Sequence, residues 1–151
     1  MMEFLLYLSP AGKDIYSLIA QKVKVVENTP ICRKHQIYGW YDTDQRTMTI
    51  CTSRIKSGPK PHYYFNETLF HEAVHIAQSC KTGMKYVTPF HINPSDMPLN
   101  SYRTVDLSTS TRLNGNSVHK VEHEAFWMED KPEKVEYVIK KYCFAEKKFL
   151  F

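Results

Sequence analysis

The chain has 151 residues, which is enough for one domain with a hydrophobic core and too few for two, so we expect residues 1–151 to form a single domain. Hydrophobic residues make up 42% of the chain and charged residues 24%, a composition that excludes disordered and collagen-like proteins. The formal net charge of +4 is spread along the sequence, with a local excess only near its end, so no nucleic-acid partner is expected.

The first apolar run, residues 4–8, is too short for a membrane span or for an export signal, and no basic segment leads into it. We therefore expect a soluble, cytoplasmic protein without a membrane span. Reduced, mostly buried thiols are expected in such a protein, with two disulfides as the alternative. No CxxC pair brings two thiolates to one metal, because the cysteines lie far apart, at Cys32, Cys51, Cys80 and Cys143.

The first half of the chain predicts one helix and a small sheet. Ser9-Pro10 is typical of a helix start, and apolar residues recur at helical spacing over residues 10–22. A short strand follows at residues 23–25 and ends in a turn. Residues 36–42 and 47–53 are rich in Tyr, Trp, Ile and Thr and flank a polar stretch, which predicts a β-hairpin. Two prolines and a glycine exclude regular structure at residues 56–61.

The second half predicts three helices and a long loop. Asn66 is the expected N-cap of a helix that continues to about residue 79. Residues 81–116 contain three prolines, two glycines and no sustained period, so we expect a long, functional loop with room for one short strand. Ser117 is expected to cap a helix that ends near residue 130, and a last helix starts around Pro132.

Residues 71–75 read His-Glu-Ala-Val-His in the middle of the helix predicted from Asn66 to about residue 79. Residues four apart share one helical face, so His71 and His75 can direct two imidazoles at one Zn²⁺ ion, with Glu72 about 100° away. The alternative is a pair of hydrogen-bonded core histidines. Zinc is favoured because the opposite face of the helix is apolar, with Leu69, Phe70, Ala73, Val74 and Ala77.

A catalytic zinc usually takes a third protein ligand and leaves a position for water. A downstream helix offers Glu122 and Glu124. Glu122 is favoured because Ala125 follows it on the same face and lets two helices approach closely. The helical wheel alone does not separate Glu122 from Glu124.

His71-Glu72-Ala73-Val74-His75, followed downstream by Glu122-x-x-Ala125, resembles the gluzincin pattern of minigluzincins and ImmA/IrrE-like peptidases, over two helices. The resemblance implies an α+β, zincin-like fold with a small antiparallel sheet, an HExxH active-site helix and a downstream helix that carries the third ligand. It implies that His71, His75 and Glu122 bind Zn²⁺ and that Glu72 is the general base. An aspzincin-like pattern would instead make Asp106 the third ligand.

The same resemblance implies a small zinc metalloendopeptidase that acts on a peptide or protein substrate. In this hypothesis Glu72 takes a proton from zinc-bound water and passes it to the leaving amine. Such a mechanism needs a donor beside the oxyanion; Tyr102 is preferred, and His91, Arg103 and His119 are the alternatives.

Further residues follow from this hypothesis. Glu67 and Gln78 lie one turn from a histidine and are candidates for hydrogen bonds to the ligand imidazoles. The strand at residues 47–51 is expected to hold an extended substrate by edge pairing.

Two other functions compete with the peptidase. One is a non-catalytic, zinc-stabilised protein-binding module, in which His123 or Cys80 closes a four-ligand site. The other is a small nucleic-acid-binding regulator, which ranks last because no basic and aromatic stripe is concentrated on one element. The basic, aromatic end of the chain, residues 140–151, predicts a solvated helix end and tail, with a membrane or partner contact as the alternative.

Overall fold

The computed structural model describes residues 2–145, which form a small α+β domain. The tail from residue 146 onward lies outside the described residues. Three short 3-10 helices accompany the strands and α-helices, at Glu3–Tyr7, Pro94–Asp96 and Asn116–Val118. In chain order the other elements are α1 (Pro10–Ile19), β1 (Lys24–Glu27), α2 (Ile31–Lys34), β2 (Gly39–Asp42), β3 (Thr47–Ile50), α3 (Thr52–Ser57), α4 (Pro61–Cys80), α5 (Ser101–Asn114), α6 (His119–Met128) and α7 (Pro132–Cys143).

The sheet has the strand order β1-β3-β2 and is mixed rather than antiparallel. The predicted hairpin is confirmed, because β2 and β3 pair antiparallel, but β1 pairs with β3 in parallel. The prediction of edge pairing at residues 47–51 is wrong, since β3 lies between β1 and β2 and both of its sides are used. Residues 52–57, partly assigned to irregular chain, form α3.

The outer strand β2 lies against the middle of α4. A Cβ atom on Gly39 would come within 2.6 Å of Thr68 Cγ2 and 3.2 Å of Glu72 Cγ. Only glycine therefore lets the strand approach the helix this closely. Because Glu72 belongs to the His-Glu-x-x-His motif, the contact brings an outer strand beside the motif.

The motif helix α4 begins six residues earlier than its sequence predicts, with Lys60 rather than Asn66 at the N-cap position. Pro61 occupies the first turn, where its fixed φ and missing N–H are tolerated. Asn66 lies inside the helix and is not its N-cap. Its amide instead accepts the Ser9 N–H at 2.9 Å and donates to the Tyr7 carbonyl at 3.1 Å, and so joins the start of α1 to α4.

The apolar face of α4 forms the centre of the core, as the sequence predicts. The helix contacts α1, α6, α7 and the sheet. Burial of this face accounts for the position of a 20-residue helix through the middle of the domain. The residues of that face are all buried, and they are Leu69, Phe70, Ala73, Val74 and Ala77.

The prediction of a long loop at residues 81–116 is wrong for its second half, where α5 forms. Asn100 caps the helix by accepting the Arg103 N–H at 2.8 Å. Only Arg103 and Leu107 are buried along its 14 residues, so the helix has no hydrophobic period that the sequence could display. Ser117 makes no capping bond; α6 starts at His119, directly after a 3-10 turn.

The four cysteines form two disulfides, so the expectation of reduced thiols is wrong. Cys32 in α2 pairs with Cys51 after β3, and Cys80 at the end of α4 pairs with Cys143 at the end of α7. Disulfides persist mainly in oxidising compartments, which is at odds with the expected cytoplasmic location. None of the helices in residues 2–145 combines the length and the apolar character needed to cross a membrane.

Candidate metal centre

Three side chains from two helices converge on one point. His71 and His75 lie one turn apart on α4, and Glu122 lies in the first turn of α6. One ligand atom of each is within 4.8 Å of the other two. Glu122 Oε1 is 3.3 Å from His71 Nε2 and also contacts His75 Nε2. The three side chains are only 12% to 16% exposed. His71, His75 and Glu122, which we call the metal group, could hold a metal ion.

Each histidine has its other ring nitrogen bound to an oxygen acceptor. His71 Nδ1 donates to Glu129 Oε1 at 2.8 Å, and His75 Nδ1 donates to Gln78 Oε1 at 2.8 Å. A carboxylate or an amide oxygen only accepts, so both Nδ1 atoms carry a proton and Nε2 is the atom left to bind a metal. Acceptors of this kind hold a metal-binding imidazole in a fixed orientation.

The orientation of the Gln78 amide follows from its other contacts. Its Nε2 donates to the Val121 carbonyl at 3.1 Å and to Glu124 Oε1 at 2.9 Å. Both partners are acceptors, so the nitrogen must face them and the oxygen must face His75. The predicted hydrogen bond between Gln78 and the imidazole of His75 is confirmed, and the role of His75 as a metal ligand stays a prediction.

Glu122 is also fixed from behind. Its Oε2 accepts the Ser110 hydroxyl at 2.7 Å, which leaves Oε1 directed at the histidines. Ser110 belongs to α5 and Glu122 to α6. The carboxylate is therefore held between two helices with one oxygen available to a metal.

The opposite charges within the metal group shift one another's pKa values towards the charged forms. Burial lowers the pKa of His71 and of His75, but the nearby carboxylates, with Glu122 foremost, together outweigh it, and both pKa values are raised. Burial raises the pKa of Glu122, but the two imidazoles outweigh it and hold that pKa well below its usual range. The carboxylate therefore stays ionised and favours a cation between the histidines.

Glu72 lies beside this group without a structural partner. Its side chain is buried, and among the described residues no hydrogen bond engages its carboxylate. Burial is the main cause that raises the pKa of Glu72, and the imidazoles of His71 and His75 lower it by a smaller amount. A carboxyl group without a structural bond, next to a metal group, is free to exchange protons with a bound molecule.

Glu124 and Asp106, the alternative third ligands, lie outside the metal group. Glu124 is buried and accepts the backbone N–H groups of Phe90 and Ile92, at 2.8 and 3.2 Å, in addition to the Gln78 amide. Its oxygens therefore anchor the segment between α4 and α5. Asp106 is half-buried on α5, and its pKa is raised mainly by burial.

The residues expected around the oxyanion have other contacts. Tyr102 donates its hydroxyl to Glu67 Oε1 at 3.0 Å, so its catalytic role stays a prediction. Arg103 donates through Nε to Glu129 Oε2 and through Nη2 to Glu67 Oε2, both at 2.9 Å. His119 bonds Thr111 at 2.9 Å, and His91 is an exposed residue with a φ of 66°. Glu67 contacts Arg103 and Tyr102 rather than a ligand imidazole, contrary to expectation.

Neither residue proposed to close a four-ligand site is placed to do so. Cys80 is bonded to Cys143, and the imidazole of His123 binds the Met97 carbonyl at 2.9 Å. Within residues 2–145, the metal group therefore offers three candidate protein ligands.

Sequence reasoning missed Glu129, Ser110 and the role of Arg103. One signal was available: Glu129 follows Glu122 by seven residues, which are two turns of the same helical face. Ser110 follows Arg103 by the same interval on α5. The two helices run antiparallel, so Arg103 meets Glu129 and Ser110 meets Glu122.

Residues 4–144 match the family described as "Domain of unknown function (DUF8637)", and the chain belongs to this family. No curated protein matches the chain, and no solved structure does. The family description assigns no activity, so the resemblance to gluzincins rests on the motif residues themselves.

Proposed function

We propose that this protein is a zinc-dependent hydrolase of peptide bonds with a gluzincin-like site. One observation carries the proposal: two imidazole Nε2 atoms and one carboxylate oxygen converge, while each Nδ1 is held by an acceptor. Histidines that only fill a core do not require three ligand atoms to converge, whereas a zinc site requires that convergence and usually has an acceptor on the other nitrogen of each imidazole.

The donor set fits zinc better than the other common cations. Two neutral imidazoles and a carboxylate, His71, His75 and Glu122, are a usual ligand set for catalytic zinc. Magnesium and calcium prefer oxygen ligands alone. When bound, zinc supplies Lewis-acid chemistry, which polarises a carbonyl and lowers the pKa of water to roughly 7.

Glu72 is the residue proposed to move the proton. As water adds to the carbonyl carbon, the Glu72 carboxylate takes one of its protons. As the C–N bond breaks, Glu72 delivers that proton to the amine nitrogen. The position of Glu72 next to both histidines, without a structural hydrogen bond, supports this role.

An extended peptide is the proposed substrate, and β2 is the strand proposed to bind it. β2 pairs only with β3 among the described strands, so its other edge is unpaired. Gly39 on β2 packs directly against Glu72. Strand addition at this edge would bring a peptide bond close to the motif, with affinity supplied by main-chain hydrogen bonds.

The test compares Glu72→Gln with the control Glu136→Gln on the exposed face of α7. Zinc per chain is measured by elemental analysis, and cleavage is measured on a mixed fluorogenic peptide library. We expect Glu72→Gln to keep one zinc and to lose about 10²- to 10⁴-fold in turnover. Glu136→Gln should match the unaltered protein.

Two other outcomes would contradict this proposal. A Glu72→Gln variant that cleaves as well as the control would remove Glu72 from the mechanism. Zinc that is lost in His75→Ala, together with no cleavage of any library peptide, would favour the zinc-stabilised binding module.

A further inference from the structure

Arg103 is a buried guanidinium whose three nitrogens all face acceptors. Nε donates to Glu129 Oε2 at 2.9 Å, and Nη2 donates to Glu67 Oε2 at 2.9 Å and to the Tyr63 hydroxyl at 3.2 Å. Nη1 is 3.4 Å from Asp130 Oδ2. The side chain is 7% exposed. Because Nε and Nη2 are engaged by these bonds and Nη1 faces Asp130, we expect any role of Arg103 in the site to act through these partners.

The partner that links Arg103 to the metal group is Glu129. One oxygen of this buried carboxylate accepts His71 Nδ1 at 2.8 Å, and the other accepts Arg103 Nε at 2.9 Å. A buried carboxylate is stable only when its charge is compensated and its lone pairs are satisfied. Arg103 supplies both the charge and a directed bond, and therefore fixes the plane of the acceptor that holds His71.

We propose that Arg103 is a positioning residue of the metal group, which aims His71 Nε2 through Glu129. The inference rests on the metal site of the proposed function. It adds that α5, which carries Arg103, sets the geometry of a ligand on α4 through Glu129, the residue that directly follows α6. A residue that only pinned the helices together would change stability without changing metal affinity.

The experiment measures metal binding directly, without a substrate. Zinc affinity is obtained by competition with a chromophoric chelator, and site geometry from the visible spectrum of the Co²⁺-loaded protein. The variants are Arg103→Met, which loses every bond, and Arg103→Lys, which keeps a charge but can replace only part of the planar fork. Thermal unfolding is recorded for each.

Arg54→Lys is the matched control. Arg54 is also partly buried and donates to three main-chain carbonyls, those of Cys32, His35 and Ile37, none of which belongs to the metal group. We expect it to lower stability while zinc affinity and the Co²⁺ spectrum stay unchanged.

Arg103→Met is expected to weaken zinc binding by about 10- to 100-fold and to alter the Co²⁺ spectrum, with Arg103→Lys between it and the unaltered protein. Zinc affinity and Co²⁺ spectra that stay unchanged in the Arg103 variants, while His75→Ala loses zinc, would overturn this inference alone. If Arg103→Met does not fold, Arg103→Lys decides by the same two measurements. Failure of the unaltered protein to bind zinc would overturn both the inference and the proposed function.

Discussion

His71 and His75 lie one turn apart on the same helix, yet the side chains that accept their Nδ1–H groups differ in charge. We call each of these acceptors, with the groups bound to it, the support of its histidine. His71 contacts the carboxylate of Glu129, and a buried guanidinium, Arg103, accompanies that charge. His75 Nδ1 contacts the neutral amide of Gln78, and the Glu124 carboxylate behind that amide bonds Gln78 rather than the ring. Glu124 bonds the Gln78 amide and backbone N–H groups instead of a basic side chain.

The difference shows how the domain buries two acidic groups next to one metal group. Glu129 contacts His71 directly and needs a cation beside it, whereas Glu124 is separated from His75 and is satisfied by neutral donors. We therefore expect the support of His71 to be the more sensitive to loss of charge. The support of His75 should be more sensitive to added charge.

The largest effect is expected from Glu129→Ala. This change leaves the buried charge of Arg103 with fewer partners and removes the His71 acceptor, so we expect a loss of about 3 to 5 kcal/mol in the free energy of unfolding. Urea unfolding measures it. Glu136→Ala is the control, because Glu136 forms an exposed pair with Lys140 at 2.8 Å, for which 0 to about 1 kcal/mol is expected. Equal losses in both variants would mean that the buried network contributes little.

A second test concerns the disulfide at the end of α4, two residues after Gln78. Cys80 ends α4 and is bonded to Cys143, 63 residues away, whereas Cys32 and Cys51 are 19 residues apart. Because a longer loop loses more entropy when it is closed, replacing Cys80 and Cys143 by serine should cost about 4 kcal/mol, and replacing Cys32 and Cys51 about 3 kcal/mol. Urea unfolding of the two double variants compares them. The reverse order would show that strain or residual structure, rather than loop length, decides the stabilisation.

The two supports also differ in how far the sequence predicts them. Gln78 follows His75 by three residues, so helical geometry alone places its amide near the ring. Glu129 is 58 residues from His71, and its position depends on how α6 packs against α4. Contacts within a helix are therefore predictable here, and contacts between helices are not.

The same distinction explains the fold-level results. The hairpin, α4 and the start of α7 have periodic apolar residues or clear turn residues, and the sequence predicts all three. α5 has neither, since only Arg103 and Leu107 are buried, and its place in the domain depends on polar bonds to other helices. Both disulfides join cysteines from distant elements, so spacing carries no signal for them.

A smaller effect is expected when the neutral support is made acidic. Gln78→Glu keeps an acceptor for His75 but removes the N–H groups that bind the Val121 carbonyl and Glu124. Two carboxylates would then meet without a cation between them, so we expect a loss of about 1 to 3 kcal/mol in unfolding free energy. Gln45→Glu in the exposed hairpin turn is the control. If Gln78→Glu unfolds at the same urea concentration as this control, charge does not distinguish the two supports.

The smallest effect is expected at Ser110, which contacts Glu122, the carboxylate that lies against both histidines. Ser110→Ala removes the 2.7 Å bond to Glu122 Oε2. Glu122 is partly exposed, so water can replace the hydroxyl, and we expect a loss of about 1 kcal/mol and a zinc affinity lower by about 10-fold.

Alanine also raises helix propensity by a few tenths of a kcal/mol, an effect that would mask part of the loss. Ser108→Ala, at an exposed position of the same helix, measures that gain by itself. The difference between the two variants isolates the bond to Glu122. Zinc affinities that agree between Ser110→Ala and Ser108→Ala would show that the orientation of Glu122 is set by its own helix α6, and that α5 acts on the metal group through Arg103 alone.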